Sequence, residues 1–292
     1  MSAEPASTAH NLAIPIAQYT MDELAAIYNR ARVDYIVPMP MNGKRMAEYI
    51  QAYDISMEHS LVAIGSDDHE PSGISMLGLR PGRGWITRLG VIPERRRRHT
   101  AEFLVQRHLE SARQAGCQTV QLEVIKGNEP AHRLFLKLGF VETRELLIVR
   151  RAPSKLSHDL MPPDDLTYEL VEDRVTLREL LQGRGDSPTW VEETPSLFNT
   201  GRLSAITARA ADGRAGWLAF QRTPFQLTHL VFSASANADP ALIRALLGQL
   251  YTLYSMMDTK IENIAADSPS WPTCQAFGYV EAFRRIEMVL QL

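Results

Sequence analysis

The sequence predicts a protein that mixes α-helices with β-strands and runs through its element order twice. Three observations predict this. Strand-like alternation and helical spacing of apolar residues follow one another from about residue 11 to 150. A stretch rich in turn residues, "APSKLSHDLMPPDD" at 152–165, then interrupts the pattern. Beyond it, the order of elements recurs with matching residues. At 292 residues, 45% hydrophobic and 22% charged, the chain has the length of two ordinary domains and the composition to build a core in each.

The start, "MSAEPASTAHN", has no basic stretch followed by an apolar run, so residues 1–10 are expected to be a flexible leader rather than a signal peptide. "NLAIPIA" reads as a strand and "TMDELAAIYNRARV" as a helix capped by Thr20. "YIVPMPMNGKRMAEYIQAYDIS" holds a loop and a second helix. "SLVAIG" and "SGISMLGLR", separated by the polar "SDDHEP", predict an antiparallel hairpin. "GWITRLGVIP" is the next strand, stopped by Pro93. Ala101, Leu104, Val105, Leu109 and Ala112 then share one face of a helix that Gly116 ends. "TVQLEVI" alternates as a strand, "NEPAHRLFLKLG" is a short helix, and "ETRELLIVRR" closes the first half.

In the second half, "QLTHLVFSA" answers "WITRLGVIP", and "GYVEAFRRIEMVL" answers "GFVETRELLIV". Matching Gly139 to Gly278 also pairs Pro130 with Pro269, Asn128 with Asp267 and Phe135 with Cys274. The expected division is a first domain at 11–151, a linker at 152–165 and a second, degenerate copy at 166–292. Trp190, Trp217 and Trp271 are read as core or interface residues of that copy, whose expected role is structural: extending the sheet, closing an acceptor cleft or making a homodimer contact.

Four consecutive arginines, Arg95 to Arg98, stand between Pro93 and a helix in a chain whose net charge is -3. Three readings compete: a solvated basic surface, a nucleic-acid patch and a phosphate cradle. The slightly negative chain and the absence of interleaved aromatic residues speak against nucleic acid. A strand that ends at proline, a polar loop and a helix start present unpaired amides and the positive end of a helix dipole, which favours the phosphate reading. Arg96 and Arg98 would add charge there and Thr100 a hydroxyl. This cluster does not recur in the second half, where the chain reads "SASANADPAL"; Asp239 there would repel a pyrophosphate. The two cysteines, Cys117 and Cys274, lie far apart without metal-ligand spacing, so no metal or disulfide is expected and a reducing cytoplasm is the expected location. No apolar run reaches the ~20 residues of a membrane span.

The run "LGVIPERRRRHTAEFLVQRHL" resembles motif A of the GCN5-related N-acetyltransferases, and "LEVIKGNEPAHRLFLKLGF" resembles their next conserved block. The resemblance covers about residues 11–150, with its specific motifs between 86 and 140. It implies an α+β fold with a mixed α/β sheet, in two tandem domains of which the second is degenerate. It further implies a transferase that uses acetyl-CoA as acyl donor to a primary amine, a small molecule or a protein N-terminus, with no metal. The family loop has the form Arg-x-x-Gly-x-Gly or Ala; here Arg96 and Ala101 fit, and His99 replaces the first glycine. The resemblance assigns cofactor contacts to Leu89, Val91, Arg96, Arg97, Arg98, His99, Thr100, Ala101, Glu102, Asn128 and Phe135.

The Val91 amide is implied as the donor to the thioester oxygen, beside a strand bulge that Gly90 would ease. Glu123 shares the polar face of "VQLEVI" with Gln121, and a glutamate in the matching segment serves as general base in the ribosomal-protein alanine acetyltransferase branch. A solvated strand glutamate is the competing reading. His99 and the "SDDHE" loop are further candidates for the base. Phe135 stands where the family often has a tyrosine that protonates the leaving thiolate. The thiolate then leaves unaided, or His132 one turn earlier substitutes, or the chain is an acyl-CoA-binding sensor or scaffold without catalysis.

Overall fold

The computed structural model describes residues 11–185, 187–233 and 239–292, so the leader and the segment "ASANA" lie outside the described residues. The chain divides into two compact units, the first Met1–Glu142 with Met288–Leu292, the second Thr143–Glu287.

The first unit holds β1 (Asn11–Pro15), α1 (Met21–Ala31), α2 (Gly43–Ala52), β2 (Leu61–Gly65), β3 (Pro71–Arg80), β4 (Arg83–Val91), α3 (Thr100–Gln114), β5 (Thr119–Ile125) and α4 (Glu129–Lys137). Its strands lie in the order β1-β2-β3-β4-β5. The first three pairings are antiparallel and the last, β4 with β5, is parallel. The apolar runs of β2 and β3 are buried on both faces, as continuous rather than alternating hydrophobicity requires. Thr20 does more than cap α1: its hydroxyl accepts from the Glu23 amide while the Glu23 carboxylate accepts from the Thr20 amide, a reciprocal capping box. Asn42 starts α2 in the same manner by accepting from the Arg45 amide. Both α1 and α3 pack against β3 and β4.

The second unit holds most of β6 (Val141–Arg151), then β7 (Leu166–Val171), α5 (Arg174–Gln182), α6 (Thr194–Asn199), β8 (Leu203–Ala210), β9 (Ala215–Arg222), β10 (Gln226–Phe232), α7 (Pro240–Leu253), β11 (Asp258–Ala265), α8 (Ser270–Ala276) and most of β12 (Val280–Gln291). Their order is β7-β8-β9-β10-β11-β6-β12. Its core joins Leu147 and Val149 of β6 to Phe220 of β9 and to Leu246 and Leu250 of α7. Trp190 and Trp217 are buried, and Trp271 packs against this core.

The closing strands depart from the linear division drawn from the sequence. From Thr143 onward β6 belongs to the second unit, while Met288–Leu292 belong to the first, where the Leu292 amide donates to the Gln118 carbonyl at 2.9 Å. The 152–165 segment is packed rather than loose: Leu156 and Leu160 rest on the core of the second unit. Gly248 makes this approach feasible, since a Cβ there would lie 2.8 Å from the Leu160 carbonyl oxygen and 3.0 Å from the Pro162 nitrogen. Gly248→Ala is therefore expected to lower the thermal midpoint of the protein. The overpacking cost of about 1–3 kcal/mol exceeds the roughly 1 kcal/mol of helix propensity that alanine contributes. Scanning calorimetry checks it; an equal or higher midpoint would contradict the close packing. No helix among the described residues is long and apolar enough to cross a membrane.

Candidate functional site

The site begins where two strands part. β4 and β5 pair in register from Arg83 with Thr119 to Ile86 with Leu122, and no further, although the strands run on to Val91 and Ile125. On its other edge β4 pairs Thr87 with Met76 and Gly90 with Ile74, so Arg88 and Leu89 oppose the single residue Ser75. This is a bulge, and its left-handed residue is Arg88, with φ 56°. Gly90 was expected to ease the bulge; it does something else. A Cβ on Gly90 would meet Ala31 Cβ at 3.1 Å, so the glycine lets the end of α1 approach the strand.

Backbone alternation fixes the direction of the next amides. The Ile92 amide donates to Ser72 on the β3 side at 2.9 Å. Its neighbour Val91 therefore directs its N–H and C=O the other way, into the gap left by β5. The Val91 carbonyl accordingly accepts from Arg96 Nε at 3.2 Å, and the Leu89 carbonyl from Arg32 Nη1 at 3.3 Å.

The arginine loop sorts its four side chains. Arg95 pairs with Asp68 at 2.6 Å. Arg96 grips Asp34 with both terminal nitrogens, each at 2.6 Å, and holds that carboxyl below its ordinary value. Arg97 and Arg98 are exposed and form no ion pair among the described residues. Arg97 and His99 both adopt left-handed backbone, with φ 62° and 57°. His99 thus takes on the conformation for which the resemblance implies glycine, and starts α3 without a side-chain cap. Left-handed residues in such a loop, next to a helix start, are the backbone pattern that can turn successive amides toward an anion.

These parts line an open cleft of ≈ 710 Å³. Its floor is Leu89, Gly90 and Val91; one wall is Arg96, Arg97 and His99 to Glu102; another is Asn128, Pro130, Ala131 and Leu134; and Ala31 with Asp34 to Ile36 complete it. Nine sequence-assigned residues thus meet: Leu89, Val91, Arg96, Arg97, His99, Thr100, Ala101, Glu102 and Asn128. Asn128 occupies the N-cap position of α4 but makes no side-chain cap bond, so its amide is available to the cleft. Glu102 is engaged by Lys137 at 2.7 Å and by His99 Nδ1 at 3.3 Å; mainly through Lys137, these partners hold its carboxyl below the ordinary value.

Other assignments land elsewhere, and one residue of the lining turns its side chain away from the cleft. Arg98 lines a separate small depression with Asn11, Asp68 and Arg95. Thr100 is buried, with its hydroxyl 3.4 Å from Asn11 Oδ1, so it faces the protein rather than offering a hydroxyl to a phosphate. Phe135 is buried edge-on against Phe140 and leaves the cleft wall to Leu134. Glu123 is outside the cleft lining; its Oε2 accepts from Trp85 Nε1 at 2.8 Å. His132 is held by Glu142 at 2.7 Å. Asp34, Tyr35 and Ile36 were not foreseen. Asp34 is 62 residues from its partner Arg96, and no local pattern signals such a pair.

The second unit repeats the geometry and closes the helix start. β10 and β11 pair in parallel only through Gln226 with Asp258 and Leu227 with Thr259. The register of β10 with β9 shifts between Thr228 and Val231, with His229 left-handed at φ 52° where Arg88 stands in the first unit. At α7, however, Asp239 accepts from the Ala241 amide at 2.9 Å and pairs with Arg214, and Pro240 has no amide proton to offer. That helix start carries its own anion.

Residues 24–140 match the Acetyltransferase (GNAT) family. No curated protein matches the chain significantly in sequence. Among solved structures, a GCN5-related N-acetyltransferase from Sphaerobacter thermophilus superposes with a TM-score of 0.71 at 13% identity, covering 96% of this chain and 95% of that one. A tandem GNAT protein from the clavulanic acid biosynthesis pathway gives 0.68 at 12% identity, covering 97% and 98%. A GCN5-related N-acetyltransferase from Kribbella flavida gives 0.62 at 15%, covering 99% and 73%. At these identities the structures share a fold, here along nearly the whole chain, including that of a tandem protein. Parted strands, a bulge and an amide-lined helix start coincide with the segment, residues 24–140, that matches the GNAT family of acetyltransferases.

Proposed function

We propose that the protein transfers an acetyl group from acetyl-CoA directly to a primary amine, with the active site in the first unit. The observation that carries this reading is the cleft in which the Val91 amide, turned into the strand gap, lies beside the free amides at the start of α3. The fit to the donor is judged on that surface: a diphosphate needs several convergent N–H donors, and the left-handed Arg97 and His99 gather them. Arg97 adds charge and the Asn128 side chain a hydrogen bond to the donor's amide-containing arm. When bound, the donor supplies a thioester as the activated acyl group. The Val91 amide then donates to an oxygen on which negative charge develops.

Glu123, beyond the last paired residue of β5, is the proposed base that takes the amine proton, directly or through water. Phe135 donates no proton and lies outside the cleft, so the thiolate leaves without help from that position; a thiol of pKa ~8.5 is a workable leaving group near neutrality. The second unit is proposed not to bind acetyl-CoA, because Asp239 occupies the start of α7. The reading in which the chain binds acyl-CoA without turning it over is favoured by Phe135 alone.

The test is release of the CoA thiol with a panel of primary amines. Turnover with at least one amine is expected, and Glu123→Gln is expected to lower kcat about 100-fold or more while acetyl-CoA still binds. Binding without turnover of any amine would leave the sensor reading instead.

A further inference from the structure

The bulge residue Arg88 turns its side chain beneath α1 and α2, into surroundings made almost wholly of aromatic rings. Its Nη1 donates to the Tyr28 hydroxyl at 3.1 Å and lies 3.4 Å from Met39 Sδ. Its Cζ is 4.2 Å from the centre of the Tyr49 ring, and the Tyr49 hydroxyl is engaged by Thr87 Oγ1 at 2.8 Å. The titratable groups bearing on it are the phenols of Tyr49 and Tyr28. Arg88 forms no ion pair with a carboxylate among the described residues, and its Nε is buried with no hydrogen-bond partner. A second guanidinium, Arg32, stacks 3.4 Å from the centre of the Tyr35 ring, and its Nε is likewise buried without a partner.

A partly buried cation without an anion is costly, and cation–π contacts offset only part of that cost. Tyr28, Met39 and Tyr49 all bear on this guanidinium and leave its Nε without a hydrogen-bond partner, on the edge by which an arginine takes a carboxylate. The left-handed backbone at Arg88 holds this edge in place, three residues before the Val91 amide.

We propose that Arg88 binds a carboxylate of the acceptor, so that the acceptor is a small amino-acid-like compound carrying both a primary amine and a carboxylate. The inference rests on the acetyltransferase reading for the role of the amine, and it names the class of substrate for that same site. It also assigns the bulge a second purpose. The strand irregularity that turns the Val91 amide into the gap also presents a cation to the acceptor.

The experiment is calorimetric titration of the full-length protein, with and without CoA, using free amino acids of varied amine–carboxylate spacing, their carboxamides and their decarboxylated amines. At least one amino acid is expected to bind about 10- to 100-fold more tightly than its carboxamide. Arg88→Gln is expected to abolish that preference and Arg88→Lys to retain part of it, with circular dichroism confirming that both variants fold. Equal binding of acids and carboxamides, no binding of any amino acid, or a preference that survives in Arg88→Gln would overturn the assignment. Failure of CoA itself to bind would instead sink the acetyltransferase reading, and the two failures are read from separate titrations.

Discussion

Replacing Ala101 by aspartate is expected to weaken acetyl-CoA binding by about two orders of magnitude or more and to leave the fold intact. Ala101 is the second residue of α3 and lines the cleft. A carboxylate there stands where the proposed diphosphate accepts from the helix amides. Two like charges about 4 Å apart at an effective dielectric of about 20 repel by about 4 kcal/mol. The same substitution suits the helix, because an acidic residue in the first turn complements the dipole by about 0.3–1 kcal/mol. Stability and cofactor affinity should therefore move in opposite directions. Titration of the variant with acetyl-CoA and its thermal midpoint are the two measurements. Retained affinity would place the donor somewhere other than the start of α3.

Gly73→Ala is expected to damage stability and catalysis together. Gly73 sits in β3 directly beneath the bulge, paired with Val91. A Cβ there would lie 2.7 Å from the Gly90 carbonyl oxygen and 3.3 Å from Thr100 Cγ2. Neither neighbour is the free end of a flexible side chain: one is the cleft floor, the other the first residue of α3. Strand or helix must shift, at an overpacking cost of about 1–3 kcal/mol. A displacement of the order of 1 Å at the Val91 amide costs about 100-fold in rate. The expected result is a lower midpoint with kcat/KM reduced about 10- to 100-fold. A variant that is destabilised but fully active would show that the amide's position is not set from below.

Much of the first half could be read from its sequence because its signals are local. The β2–β3 hairpin follows from two apolar runs around a polar turn, α1 from Thr20 and Glu23, and the phosphate-type loop from Pro93, the arginines and the following helical spacing. The parts that could not be read are long-range. Arg96 and Asp34 stand 62 positions apart, so the cleft's anionic neighbour had no local signature. The passage of β6 to the second unit, and of the end of β12 to the first, was hidden by duplication itself, since "GFVETRELLIV" and "GYVEAFRRIEMVL" present the same pattern to either unit. The bulge was foreseen on β4, but Gly90 drew attention from Arg88, because a left-handed arginine is costly in isolation and is fixed here by its tertiary surroundings.

The loop "RRRRH" shows how residue type and role can separate. From the sequence, the phosphate falls to the loop amides and the helix start, with Arg96 and Arg98 adding charge beside them. In the structure, Arg95 and Arg96 are engaged by Asp68 and Asp34, and Arg98 faces away from the cleft. Their first contribution is to brace the loop, and the proposed anion site is mainly backbone with Arg97 beside it.

The central claim, a single acetyl-CoA site built on the parted strands of the first unit, is tested most directly by calorimetric titration of the intact chain with acetyl-CoA. The account predicts saturable binding of one molecule per chain. Two molecules per chain would contradict the closed helix start at Asp239, and no binding would contradict the reading of the cleft itself.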